Sequence, residues 1–213
     1  MKASTQKLFT LLALGVCLGA SISACAPIML GGAVMGSLMA IDRRTAGTLV
    51  DDEGIELRAA SRIRDNLGER GHVNVTSYNR QVLLTGEMPN AKDKELVERV
   101  VSKVENVRTI VNETVIAGNP TFSQRSSDAY ITGKIKASMV DRKDLFANAF
   151  KVVTEGGTAY LMGRVTQREA NRATDIARST SGVLKVVRVL EIISEEELQG
   201  TLPTKPAPVE VKK

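Results

Sequence analysis

Between residues 50 and 194 the apolar and polar positions form a pattern that occurs twice. "VNVTSYNRQVLLTGEM" (73–88) and "FKVVTEGGTAYLMGRV" (150–165) superimpose at a constant offset of 77, with Val75 over Val152, Leu84 over Leu161 and Gly86 over Gly163. Val73 and Val75 alternate with polar neighbours and Val82 and Leu84 keep the same spacing, which predicts two short strands in each stretch. "SYNR" joins the strands in the first copy and "EGG" in the second, where the glycines accept positive φ.

A helix follows in both copies. Val97, Val100, Val101 and Val104 fall at i, i+3, i+4 and i+7, one face of a helix, and Ala173, Ile176, Ala177 and Thr180 keep that spacing. Thr166 and Glu169 form a T-x-x-E capping box that satisfies two orphan amides. A last strand closes each unit, "NVRTIVNETVI" against "GVLKVVRVLEII", with Val107 over Val183 and Val111 over Val187. Ahead of each hairpin lies another helix. Ile63 aligns with Ile135 and Leu67 with Met139 at an offset of 72, so the following loop is five residues longer in the second copy, where "DRKDLFAN" intervenes. The predicted fold class is α+β: two tandem αββαβ units, each with two helices on one face of a three-stranded mixed sheet. Units of about 60–70 residues have small cores, and the pattern leaves open whether the copies touch.

The chain begins differently. Lys2 and Lys7 precede the uncharged run Leu8 to Ile22, and small residues Ser23 and Ala24 precede Cys25. A basic start, a short apolar run and a small-residue exit describe a secretory signal peptide. "ISAC" resembles the lipobox of bacterial lipoproteins, in which the cysteine becomes the lipid-bearing N-terminus. Cys25 is then the lipidation site, carrying diacylglycerol and an N-acyl chain, and Cys17 is discarded with the leader. The other reading is an ordinary signal peptide or anchor helix with incidental cysteines. The expected divisions are a leader over 1–24, a lipidated, flexible tether over 25–50, units at 51–118 and 126–194, and a disordered Pro-rich tail over 195–213.

Removing the leader leaves 189 residues, with no Trp and few aromatics, so the core is built from Val, Ile, Leu and Ala. The basic balance lacks the dense Lys/Arg stripe and stacking aromatics of a nucleic-acid binder, and an anionic membrane surface suits it better. Enzymatic chemistry has no visible machinery. The single histidine, His72, reads as an edge residue, no residues have metal-ligand spacing, and no glycine loop cradles a phosphate. No catalytic residue, metal or other cofactor is expected.

The αββαβ unit, with a glycine after its second strand and a closing Gly/Asn-Val-x-x-Val, resembles the BON domain. Two such units after a lipobox, preceded by "DRRTAGTLVDDEGIELR", are similar to dual-BON outer-membrane lipoproteins. The resemblance implies a periplasm-facing, lipid-anchored protein of the outer membrane that supports envelope integrity and locates at division sites. It also implies binding of anionic phospholipid by the first helix of the second unit, here "SSDAYITGKIKASMV" (126–140), with Tyr130 where a Trp is known in the family.

On a helical wheel Ile131, Ile135 and Met139 face the sheet. Tyr130, Lys134 and Ala137 share another side, with Gly133 beside them, Lys136 on a flank and Val140 at the end. An amphipathic aromatic, small residues and cations suit a lipid headgroup layer. The corresponding positions of the first copy, at the offset of 72, are Arg58, Arg62 and Asp65. Between Glu56 and Ile116 there are 10 Lys/Arg and 9 Asp/Glu, against 11 and 7 between Asp128 and Ile193, so the second copy is the better partner for an anionic surface. In the plain alternative Tyr130 packs on the neighbouring unit and the lysines are solvated. In a different class of function, the repeats form a scaffold for an envelope assembly or cell-wall regulatory protein.

Overall fold

A computed structural model describes residues 42–201. The leader, Cys25, the tether up to residue 41 and the tail beyond 201 lie outside the described residues. The first unit runs α1 (Ala46–Leu67), β1 (His72–Tyr78), β2 (Gln81–Met88), α2 (Ala91–Val101), β3 (Thr109–Asn112) and β4 (Val115–Ile116). The second runs α3 (Phe122–Val140), β5 (Phe150–Glu155), β6 (Thr158–Thr166), α4 (Gln167–Ser179), β7 (Lys185–Ile193) and a short α5 (Glu195–Thr201). In each unit an antiparallel hairpin is joined by a parallel strand returning from the second helix. The third strand of the first sheet is interrupted at Glu113 and Thr114, giving β3 and β4 where one strand was expected.

Strand alternation divides the core into three clusters. Val82, Leu84 and Met88 pack under Ile55, Ile63 and Val97 of α1 and α2. Leu161 and Val165 pack under Ile131, Ile135, Met139 and Ile176 of α3 and α4. The alternate strand residues Tyr78 and Leu83 of the first sheet meet Tyr160, Met162 and Val189 of the second in a cluster of their own. The sheets therefore pack on each other and the helices form the two outer layers. Burial pushes both tyrosine hydroxyls up to about 12, so they stay neutral at this interface.

A buried carboxylate holds each hairpin. The turn residues Asn79 and Arg80 have φ of 52° and 62°, and Gly156 and Gly157 have 54° and 73°, the signature of a two-residue type I′ turn. Asp52 of α1 accepts from the Asn79 and Arg80 amides at 2.8 and 2.7 Å and from the Ser77 hydroxyl at 2.7 Å. Asp128 of α3 accepts from the Gly156 and Gly157 amides at 3.0 and 2.9 Å. Arg80 is thereby held in a conformation that non-glycine residues rarely adopt.

These aspartates correct the alignment of the first helices. They match at an offset of 76, which also pairs Ile55 with Ile131, Ala59 with Ile135 and Ile63 with Met139, all buried. The offset of 72 is wrong by one helical turn, because apolar positions at i and i+4 are interchangeable in a 3.6-residue period. Since the hairpins match at 77, the loop before the second hairpin carries one extra residue rather than five.

Three boundaries also move. Thr121 and Gln124 form a capping box, so α3 starts at Phe122 rather than near 126. Glu195–Thr201 is helical with Leu198 buried, so the tail does not begin at 195. The end of the expected flexible tether is built into the fold. Thr45 caps α1, and Arg44 pairs with Asp52 at 2.8 Å and lies 4.3 Å from the Tyr78 ring centre. Arg43 reaches the second unit, where it pairs with Glu169 at 2.7 Å and donates to the Arg164 carbonyl at 3.0 Å. The Glu169 side chain is 0% exposed and also completes the capping box expected at Thr166.

Asp52→Ala leaves two turn amides without their acceptor and removes one of the two carboxylates that Arg44 pairs with. It is expected to cost about 3 kcal/mol in urea unfolding at unchanged slope, and Asp128→Ala about 2 kcal/mol; losses below ~0.5 kcal/mol would contradict these roles. Burial works against the charged form of Glu169, but the Arg43 hydrogen bonds and the Thr166 amide hold its carboxyl below the usual range. A depressed folded pKa stabilises the fold above the ordinary carboxylate pKa of about 4.3 and ceases to do so as pH falls through the folded value. The stability gap between wild type and Glu169→Gln should thus be full at neutral pH and shrink below about pH 4. A gap independent of pH would show that Arg43 does not act through charge.

Candidate functional site

The outward face of α3 exposes several large apolar side chains. Asp128, Ile131, Ile135 and Met139 point into the second unit, which leaves the opposite side for solvent. Along that side lie Phe122, Ser126, Ala129, Tyr130, Gly133, Ala137 and Val140, all exposed and none charged. Phe122, Tyr130 and Val140 retain 80%, 68% and 69% of their surface. The 19 residues make a stripe about 28 Å long at 1.5 Å per residue. A side chain at Gly133 would meet nothing within 4 Å, so the groove beside Tyr130 is open. Lys136 and Arg125 flank the stripe on one side and Lys134 on the other.

The structure thus brings Tyr130, Gly133, Ala137 and Val140 onto one surface and keeps Lys136 exposed at its margin. Lys134 has a more local duty. Its ammonium lies 4.9 Å from the Tyr130 ring centre and donates to the Ser181 carbonyl just beyond α4. In the first unit Arg58 makes the equivalent contact, to the Glu105 carbonyl at 3.5 Å. Cations at these places compensate the negative end of the second helix. Lys134 also sits beside the Tyr130 ring face, where a cation is attracted by the ring quadrupole.

With the corrected offset of 76, the first-unit positions matching Tyr130, Lys134 and Ala137 are Gly54, Arg58 and Ser61, not Arg58, Arg62 and Asp65. The contrast between the copies survives. On α1 the same stripe reads Ala46, Val50, Glu53, Gly54, Leu57, Ser61 and Arg64. Two charges interrupt it and no aromatic is present.

The sequence reading missed Phe122 and Leu184. Phe122 stands eight residues before Tyr130, on the same helical face, and extending the wheel through the Thr121 cap would have found it. Leu184, 83% exposed, follows a loop that abuts α3: a side chain on Gly182 would clash with Ile131 and approach Lys134. It belongs to the apolar run of the closing strand, where nothing in the local pattern marks it as exposed. Among the described residues no helix is long and apolar enough to cross a membrane.

A second constellation was not visible in the sequence. His72, expected at an exposed edge, is half-buried between the units. Its Nδ1 lies 3.2 Å from Glu87 Oε2 and 3.9 Å from Glu155 Oε1. No spacing along the sequence joins these three residues, yet the fold brings their ligand atoms within 4.8 Å of one another.

The profile of the BON domain matches residues 51–118 and 127–194, again an offset of 76. The chain is 35% identical over 184 residues to the outer membrane lipoprotein DolP of Haemophilus influenzae, covering 84% of this chain and 95% of that protein. It is 34% identical over 155 residues to a 21 kDa hemolysin of Actinobacillus pleuropneumoniae, covering 72% and 80%. Among solved structures, CdsD of the Chlamydia trachomatis type III secretion system aligns with 70% of this chain and 99% of its own at 13% identity, with a TM-score of 0.29. Two matched domains, each carrying the buried aspartate, the hairpin and the returning parallel strand, make this chain a member of the BON-domain family with two copies of the domain.

Proposed function

We propose that the protein is a non-enzymatic outer-membrane lipoprotein, anchored through acyl chains on Cys25 and facing the periplasm. Its second BON domain lays the outer face of α3 on anionic phospholipid. The charge-free stripe from Phe122 to Val140, present on α3 and interrupted on α1, carries this reading. The description of the Haemophilus relative as an outer membrane lipoprotein supports the location. On this reading the protein supports envelope integrity and localises at the division site.

Energetics assign α3 a role other than retention. Each buried methylene contributes about 0.8 kcal/mol, so the acyl chains on Cys25 suffice to hold the protein at a bilayer. What α3 adds is orientation and headgroup selection. The 16 residues between Cys25 and Asp42 span at most roughly 55 Å when extended. Docking of α3 is then an intramolecular event at high effective concentration. Phe122, Tyr130 and Val140 supply apolar area, while Lys136 and Arg125 meet phosphate from one margin. A protein scaffold is the competing reading, and salt separates the two, because headgroup attraction is screened.

The test is flotation of the chain from Met39 onward, which lacks the lipidation site, with anionic or zwitterionic vesicles. Wild type should float with anionic vesicles only and less at high salt. Tyr130→Ala should weaken partitioning roughly tenfold, the equivalent of losing about 1.4 kcal/mol of buried apolar surface. Phe122→Ser should act in the same direction, with both variants melting like wild type. A folded wild-type chain that floats with neither vesicle type would refute the membrane reading and turn the stripe into a protein-binding surface.

A further inference from the structure

The two ends of the sheet-to-sheet interface are related by the repeat, but different chemistry occupies them. The hairpin offset of 77 carries His72 onto Ala149, Glu87 onto Arg164 and Tyr78 onto Glu155. At one end the Tyr78 hydroxyl donates to the Ala149 carbonyl at 3.3 Å, and Arg43 and Arg44 close over it. At the other end the corresponding places hold an imidazole and two carboxylates.

The Glu87 and Glu155 side chains are only 10% and 9% exposed. Asn74 donates to Glu155 Oε2 at 2.6 Å. Glu155 Oε1 points toward His72 and accepts no hydrogen bond among the described residues, and no Lys or Arg there pairs with either carboxylate. Burial pushes the Glu155 carboxyl up, Asn74 opposes this, and the Glu87 charge adds to the rise. Two carboxylates so placed repel unless a cation or proton is shared between them. Gly86 beside them is a backbone requirement of the hairpin: its φ is +114°, and a Cβ there would lie 2.1 Å from the His72 carbonyl oxygen. A cavity of about 370 Å³ adjoins, lined by His72, Asn74, Arg125, Asp128, Thr154 and Glu155 among others.

We propose that His72, Glu87 and Glu155 form an inter-domain site for a divalent transition cation of the zinc type. Zinc takes imidazole nitrogen and carboxylate oxygen at about 2.0–2.2 Å, which sets tetrahedral ligand atoms roughly 3.4 Å apart. The separations of 3.2 and 3.9 Å from His72 Nδ1 straddle that value, and a small rotation of Glu155 closes the longer one. The cavity admits water as the fourth ligand. Mixed nitrogen and oxygen donors favour zinc over magnesium or calcium. Because the ligands come from both domains, the ion ties them together at the end that Arg43 and Arg44 do not reach, and it stabilises the folded chain by mass action.

The test is calorimetric titration of the full chain, purified in detergent and stripped with chelator, against zinc chloride, with magnesium chloride as the comparison. One zinc per chain should bind, magnesium should not, and zinc should raise the melting temperature. Glu155→Gln keeps the shape and an acceptor for Asn74. It should weaken zinc binding by about tenfold or more and remove the thermal shift, as should His72→Asn and Glu87→Gln. Circular dichroism of the metal-free variants separates ligand loss from unfolding. Zinc binding that all folded variants retain would place the ion elsewhere and overturn the proposal, as would the absence of saturable binding by wild type.

Discussion

Each three-column sheet has two faces that must leave water, while each unit carries only two helices to cover them. The helices cover one face, and the sister sheet covers the other through Tyr78, Leu83, Tyr160, Met162 and Val189. The remaining features follow from that pairing. It turns α1 and α3 to opposite outer surfaces and leaves the Phe122–Val140 side of α3 without a partner inside the chain. It also creates the two interface ends, one closed by arginines and one lined by His72, Glu87 and Glu155. Small domains bury too little surface to be robust alone, so sharing an apolar face is also how the tandem arrangement gains stability.

Within each unit the critical polar group is a carboxylate placed early in the first helix. A two-residue turn exposes amides in left-handed backbone, and at a buried edge those amides need an acceptor. Asp52 and Asp128 supply it. In the first unit the turn contains Asn79 and Arg80 rather than glycines, and Asp52 takes more bonds there, including Arg44 from the segment before α1. Arg43 then carries the same segment across to Glu169. Residues 42–44 thus act as a strap between the domains, and the tether leaves the fold from a defined place.

Much of this architecture was legible. Strand alternation, the valine face of the second helix as far as Val101 and the Thr166–Glu169 box each depend on residues a few positions apart, and all appear in the fold. So does the burial of Ile131, Ile135 and Met139, which sends Tyr130 outward. Val104 and Thr180 fall just past the ends of α2 and α4. The first-helix alignment failed because a one-turn slip leaves an apolar helical pattern intact; Asp52 and Asp128 break the degeneracy, but their function shows only when the turn amides are seen beside them. Phe122 was missed because the Thr121 cap was not used to start the helix, and Leu184 because an exposed strand-end leucine has the same local pattern as a buried one.

The sequence by itself determined the order of elements, the duplication and the composition of each helical face, because these are encoded in local periodicity and capping chemistry. Only the tertiary structure decided that the sheets pack on each other, that Arg43 meets a glutamate 126 residues away, and that Glu155 comes to His72 and Glu87 from the other domain. Such meetings depend on the twist and relative placement of whole sheets. Strand alternation specifies that a face is buried, but both inner faces are apolar and neither carries a local signal naming the surface that will cover it.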